Sequence, residues 1–76
     1  MTAKNAILLI IKQSPGIDYN SIVAKIASNY GSVNSARAAL SRAIKDMNAV
    51  GLIEKRDNRL FATEKGQIQI RSEMKS

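Results

Sequence analysis

The longest regular apolar pattern in the sequence lies in residues 33–50 and predicts one long amphipathic helix. Its apolar residues recur at i, i+4, i+7, i+11 and i+14, the spacing of a single helical face. They are Ala36, Leu40, Ala43, Met47 and Val50. Gly51 follows and is expected to end the helix. The opposite side carries small, polar and cationic residues, so we expect one face to pack inside and the other to remain exposed.

Two helices are predicted before this segment. The first covers Thr2 to Gln13 and ends at Pro15-Gly16, because proline disfavours helix at the residue before it. Its inward side is expected to hold Ile7, Ile10, Ile11 and Ser14. The second runs from Tyr19 to Ser28, with Asp18 as its N-cap and Gly31 in the turn after it. Its inward residues are expected to be Ile22, Val23, Ile26 and Ala27. A short helix, a glycine-bearing turn and a longer helix form the outline of a helix-turn-helix.

After Gly51 the sequence predicts a β-hairpin and a last helix. The two strands are residues 52–56 and 59–63, joined by Asp57-Asn58, and both turn residues tolerate the positive φ that a two-residue hairpin requires. Thr63 is expected to cap a helix from Glu64 to about Met74, although Gly66 weakens it and residues 67–70 alternate like a strand. The expected fold class is therefore α+β, mostly α, in a single domain over residues 1–76.

Composition limits the chemistry available to the chain. Twelve Lys and Arg residues against six Asp and Glu give a net charge of +6, which favours a polyanionic partner, nucleic acid before an acidic membrane surface. Without cysteine or histidine there is no thiolate or imidazole to bind a metal and no histidine general base. We therefore expect no enzyme activity, no catalytic residues, no cofactor, no bound metal and no small-molecule substrate. The longest apolar run, residues 6–11, is too short to span a membrane, so a cytoplasmic protein is expected.

The polar face of the long helix is the first candidate binding surface. A helix fits the DNA major groove, and small residues such as Ala38 and Ser41 let its backbone come close. Arg42 and Arg37 could donate to a guanine edge and Asn34 could pair with adenine. Ser35, Ser41 and Lys45 suit phosphate oxygens. The alternative is an ordinary solvated helix face, since charged exposed faces are common.

The predicted hairpin is the second candidate surface. Lys55, Arg56 and Arg59 crowd its tip beside Asp57, where phosphates would offset the repulsion between the cations. Together with the basic residues of the long helix, they place six of the twelve Lys and Arg residues in the stretch from Arg37 to Arg59. The alternative is that charges on an edge strand only prevent aggregation.

Together these elements resemble a winged helix-turn-helix domain. The resemblance lies in residues 40–47 followed by residues 50–56, which are similar to the family's junction between recognition helix and wing, and in residues 63–66, which are similar to its entry into the last helix. The small, basic, bare domain resembles compact transcription factors encoded by archaeal viruses and virus-plasmid hybrids. The two-residue turn Asp57-Asn58 is shorter than many wings, so deep insertion into the minor groove is not expected.

The resemblance implies a sequence-specific, double-stranded DNA-binding transcription regulator that is cytoplasmic and nucleoid-associated. The family's DNA-binding positions then fall on Asn34, Ser35, Arg37, Ala38, Ser41, Arg42 and Lys45 in the helix and on Lys55, Arg56, Asn58 and Arg59 in the wing. The last segment is short and polar, so a monomer in solution is favoured over a homodimer, which could still form on DNA. The alternatives are a winged-helix module for protein interaction and a binder of double-stranded RNA or Z-form nucleic acid.

Overall fold

The computed structural model describes residues 2–75 as four helices and a small antiparallel sheet. In chain order the elements are α1 (Ala3–Gln13), β1 (Ile17–Asp18), α2 (Tyr19–Tyr30), α3 (Val33–Ala49), β2 (Ile53–Arg56), β3 (Arg59–Ala62) and α4 (Glu64–Lys75). This α+β, mostly helical architecture confirms the predicted fold class, with the winged-helix-like order of three helices, a hairpin and a closing helix.

The helix boundaries follow from local capping. The side chains of Thr2, Asp18 and Ser32 accept hydrogen bonds from backbone N–H groups in the first turns of α1, α2 and α3. Gly31 adopts the left-handed conformation with φ of 75°, which stops α2 and turns the chain into α3. The predicted helix, turn and longer helix are therefore present, with α2 reaching Tyr30, two residues beyond the prediction.

The apolar stripe of α3, which is the helical face predicted to run from Ala36 to Val50, lies at the centre of the core except at its last residue. Ala36, Leu40, Ala43 and Met47 are buried and belong to one apolar cluster with side chains from the other three helices and from β2 and β3. Val50 was expected in the same stripe and is 53% exposed. The reason is that α3 ends at Ala49, and Val50 leaves the helical geometry as its C-cap.

Helix α1 is buried more broadly than predicted, because it contacts α3, α4 and β3 at once. Ile7 and Ile11 are buried as expected, and so is Leu8, which the prediction omitted. Ile10 and Ser14, both predicted to face inward, are only partly buried. A helix packed on several sides has a wider apolar face than a single stripe.

The sheet joins the hairpin to the segment that precedes α2. Its strand order is β1-β3-β2, all antiparallel, and Ile17 pairs with Leu60 while Arg56 pairs with Arg59. Asp57 and Asn58 have φ of 49° and 64°, which confirms the two-residue turn with both residues left-handed. The hairpin is thereby fixed against the start of α2 and beside α3.

Helix α4 closes the core over α1 and β3. Thr63 caps it by accepting from the N–H of Gly66 at 3.1 Å and also donates to the Gly51 carbonyl oxygen at 2.6 Å. Ile70 is fully buried whereas Ile68 is 51% exposed, so residues 67–70 follow a helical pattern and not the alternation of a strand.

Candidate nucleic-acid interface

Every side chain expected to bind DNA lies on the surface. The exposed set comprises Asn34, Ser35, Arg37, Ala38, Ser41, Arg42 and Lys45 on α3, with Lys55, Arg56, Asn58 and Arg59 on the hairpin. On α3 these residues are exposed because the stripe through Leu40 occupies the opposite side of the helix. Arg42 and Lys45 are therefore not buried against the core.

An open groove of about 610 Å³ separates α3 from the hairpin and from the start of α2. Four of the predicted residues line it: Ser41, Lys45, Lys55 and Asn58. Ile44 and Leu60 contribute apolar surface, and Lys45 and Lys55 supply one cation each from α3 and from β2. The fold thus brings together two positive charges that are ten positions apart in the sequence.

The groove also contains polar residues that the sequence prediction missed. They are Asp18, Tyr19 and Asn20 before and at the start of α2, and Asn48 on α3. Asn48 could have been found from spacing, because Ser41, Lys45 and Asn48 stand at i, i+4 and i+7 on one side of the helix. No periodicity relates Tyr19 or Asn20 to α3, so their place in the groove follows only from the tertiary packing.

The other predicted residues of α3 do not line this groove. Asn34, Ala38 and Arg42 lie on the exposed side of the helix outside it. Ser35 belongs to the N-terminal cap, where Ser32 Oγ accepts from the Ser35 backbone N–H at 3.1 Å and donates to Ser35 Oγ at 3.0 Å. The candidate interface is therefore a continuous helix face of which only one edge borders the groove.

Tyr19 connects the first turn of α2 to the middle of α3. Its hydroxyl donates to the backbone carbonyl oxygen of Arg37 at 2.8 Å and lies 2.7 Å from Ser41 Oγ. Beside it, Arg37 Nη1 donates to Asn20 Oδ1 at 3.4 Å. These contacts tie Ser41 and the backbone of Arg37 to α2, and they restrain the Arg37 side chain on the exposed face.

Two arginines of the hairpin have partners inside the protein. The Arg56 guanidinium lies 4.5 Å from the centre of the Phe61 ring, and its Nε is 3.5 Å from Glu54 Oε1. Arg59 Nη1 donates to the Gly16 carbonyl oxygen at 3.0 Å, which ties the hairpin to the turn after α1. Both side chains retain free N–H groups, because a guanidinium has five donors.

Three cations of the candidate interface have no partner among the described residues. Within residues 2–75, Arg42, Lys45 and Lys55 make no ion pair or hydrogen bond through their side chains. Two nearby carboxylates are engaged elsewhere: Asp46 pairs with Lys4 at 3.1 Å, and Asp18 accepts from Ser21. Hydrogen bonds from the Ser21 hydroxyl and backbone N–H hold the pKa of Asp18 below its ordinary value, so this carboxylate is charged at neutral pH.

The described residues contain no group of three or more His, Cys, Asp or Glu side chains that could hold a metal ion. None of the helices over residues 2–75 combines the length and the apolar character needed to cross a membrane. Comparison of the chain with protein-family models, with curated proteins and with solved structures found no match.

Proposed function

We propose that this protein is a sequence-specific, double-stranded DNA-binding transcription regulator that acts without catalysis. In this proposal α3 enters a major groove and the hairpin lies over the flanking backbone or minor groove. The observation that supports it is that Lys45 on α3 and Lys55 on the hairpin line the same groove of the protein, and that no carboxylate within residues 2–75 forms an ion pair with either. Binding to DNA would place the protein on the nucleoid, and we propose that the free protein is a monomer in solution.

The distribution of charge supports a duplex as the partner. Arg42, Lys45 and Lys55 are exposed, unpaired within residues 2–75 and spread over the helix face and the hairpin. A protein that places cations along phosphates releases condensed counterions, and this release supplies much of the affinity for DNA. Cations with no internal partner lose no existing bond when they contact phosphate. Lys45 and Lys55 are therefore proposed to contact phosphates, together with the two hairpin arginines, whose guanidinium groups keep free N–H donors. Arg42, on the helix face, is proposed to contact a base edge.

The salt dependence of binding tests the proposal. A protein that neutralises about five phosphates should give a slope of about −4 to −5 in a plot of log K against log salt. Replacing Lys45 and Lys55 by Gln should make this slope less steep by about 1 for each lysine. The matched control is Lys25→Gln, at an exposed position on α2 that does not border the groove, and it should leave the slope unchanged.

Three results would contradict the proposal. Absence of duplex affinity at moderate salt would favour the protein-interaction module. Tighter binding to RNA duplexes, or to alternating CG duplexes held in the Z form, than to ordinary DNA duplexes would favour a binder of double-stranded RNA or Z-form nucleic acid. An equal loss of slope in Lys25→Gln and in the groove variants would mean that only net charge matters and that the groove is not the binding surface.

A further inference from the structure

The hydrogen bonds of Tyr19 determine whether the Ser41 hydroxyl acts as donor or acceptor in their contact. A tyrosine hydroxyl has one proton to donate, and a backbone carbonyl oxygen can only accept. The 2.8 Å contact between the Tyr19 hydroxyl and the Arg37 carbonyl oxygen therefore uses the tyrosine proton. In the 2.7 Å contact between Tyr19 and Ser41, the serine must then be the donor.

This arrangement makes Ser41 an acceptor toward any incoming ligand. Its only proton is used by Tyr19, whereas its oxygen keeps lone pairs, and the residue is exposed at the groove. An unrestrained serine can contact either donors or acceptors on a base edge. Phosphate oxygens only accept, so Ser41 in this state is unsuited to the phosphate contact that the sequence suggested.

We propose that Tyr19 is a positioning residue that commits Ser41 to accept a hydrogen bond from an exocyclic amine of a base, adenine N6 or cytosine N4, in the major groove. This inference rests on the proposed function, since it specifies what one residue of that interface recognises. These two amines are the hydrogen-bond donors that the major-groove edge presents. Tyr19, which does not itself need to touch DNA, thereby contributes to sequence preference.

The test removes the amine from the DNA and the acceptor from the protein. A preferred duplex is first selected from a random pool with the unaltered protein. Each adenine or cytosine of that site is then replaced, one at a time, by purine or by 2-pyrimidinone, which lack the amine. At one position the loss should weaken binding about fivefold, the usual effect of one neutral hydrogen bond, and Ser41→Ala should abolish that sensitivity. Ser28→Ala, on the exposed side of α2 away from the groove, should keep it.

The Tyr19→Phe variant tests the positioning role. Without the tyrosine oxygen, the Ser41 hydroxyl is free to rotate, either back to the Arg37 carbonyl oxygen in its own helix or toward an acceptor on DNA. The preference for an amine at that position should therefore fall by about half or more, while binding to random duplexes changes little. Tyr30→Phe is the matched control, because the Tyr30 hydroxyl has no partner within residues 2–75 and its loss should leave the preference intact.

Separate outcomes distinguish this inference from the proposed function. If duplex binding is strong and salt-dependent but Ser41→Ala and the unaltered protein lose equally at every amine-free position, the inference is wrong and the function stands. The same holds if one methylphosphonate substitution weakens the unaltered protein and not Ser41→Ala, because Ser41 would then donate to a phosphate. If the protein binds no duplex, both the proposed function and this inference are wrong. Should Tyr19→Phe fail to fold, the Ser41→Ala comparison still decides whether Ser41 accepts a hydrogen bond from the amine, which is the state that the Tyr19 contact imposes.

Discussion

Replacing Gly66 by Ala should destabilise the protein, although the same change in most helices is stabilising. Alanine is favoured over glycine in a helix interior by about 1 kcal/mol. A Cβ atom at Gly66, however, would overlap the carbonyl oxygen of Leu52 and lie 3.3 Å from Leu8 Cδ1. The Leu52 oxygen belongs to the backbone and accepts the N–H of Thr63 at 3.1 Å, so it cannot move without breaking that bond.

The expected magnitude follows from these opposing effects. Forcing extra volume into a packed site costs about 1–3 kcal/mol, and a backbone atom yields less readily than a side chain. Because the colliding atom is backbone, we expect the upper part of that range, about 2–3 kcal/mol. Subtracting the gain in helix propensity of about 1 kcal/mol, we expect Gly66→Ala to lower the free energy of unfolding by about 1–2 kcal/mol. In a domain of this size that corresponds to a melting temperature lower by roughly 5–15 °C.

The assay is urea and thermal unfolding followed by circular dichroism, with residue 67 as the local reference. Gln67 is exposed on the same helix, so comparing Gln67→Gly with Gln67→Ala measures the propensity difference between glycine and alanine without a collision. We expect Gln67→Ala to be more stable than Gln67→Gly. At residue 66 the order should be reversed, with Gly66→Ala less stable than the unaltered protein. If alanine stabilises both positions by similar amounts, the close approach of α4 to Leu52 does not exist and our account of its packing is wrong.

Three further predictions concern the core, a helix cap and the interface. Leu40→Ala should cost about 2–5 kcal/mol of stability, because Leu40 is fully buried at the centre of α3, and an unchanged circular-dichroism melt would contradict this. Since the pKa of Asp18 is lowered by Ser21, its charge stabilises the fold above about pH 4, and the urea midpoint should fall as the pH drops below that value. Asp18→Asn should reduce this fall, and identical pH profiles would exclude a contribution from Asp18. Arg42→Ala should cost about 1–3 kcal/mol of binding to a selected duplex and relax its preference, whereas an equal loss on random DNA would assign Arg42 to phosphate contact.

The features that could be predicted from the sequence are those fixed by near neighbours. Asp18 caps α2 through Ser21, three residues away, and Gly31 ends it through its own backbone conformation. The hairpin turn requires only that Asp57 and Asn58 tolerate positive φ, which both do. The exposed face of α3 follows from a helical period applied to Leu40 and its stripe. In each case the determining contact lies within a few residues of the chain.

The features that could not be predicted depend on which elements meet in space. Leu8 is buried because α1 is covered by several elements, and no residue within α1 reports that. Arg59 reaches the Gly16 carbonyl across 43 positions, and Tyr19 reaches Ser41 across 22. Gly66 looks like a weak point in a helix until Leu52 is seen against it.

These long-range contacts restrain some side chains of the candidate interface and leave others free. Under the proposed function, the two groups should contribute differently to DNA binding. Ser41 is already held by Tyr19 at 2.7 Å, and Arg37 is restrained more loosely by Asn20 at 3.4 Å, so both lose less side-chain entropy on meeting a base edge than an unrestrained side chain does. A long free side chain such as Lys55 loses up to about 2 kcal/mol of rotamer freedom if it is fixed in one geometry. It can instead remain mobile near phosphates, because counterion release does not require a single geometry. Substitutions at the held residues should therefore change which sequence is bound, and substitutions at the lysines should change how tightly any duplex is bound at a given salt concentration.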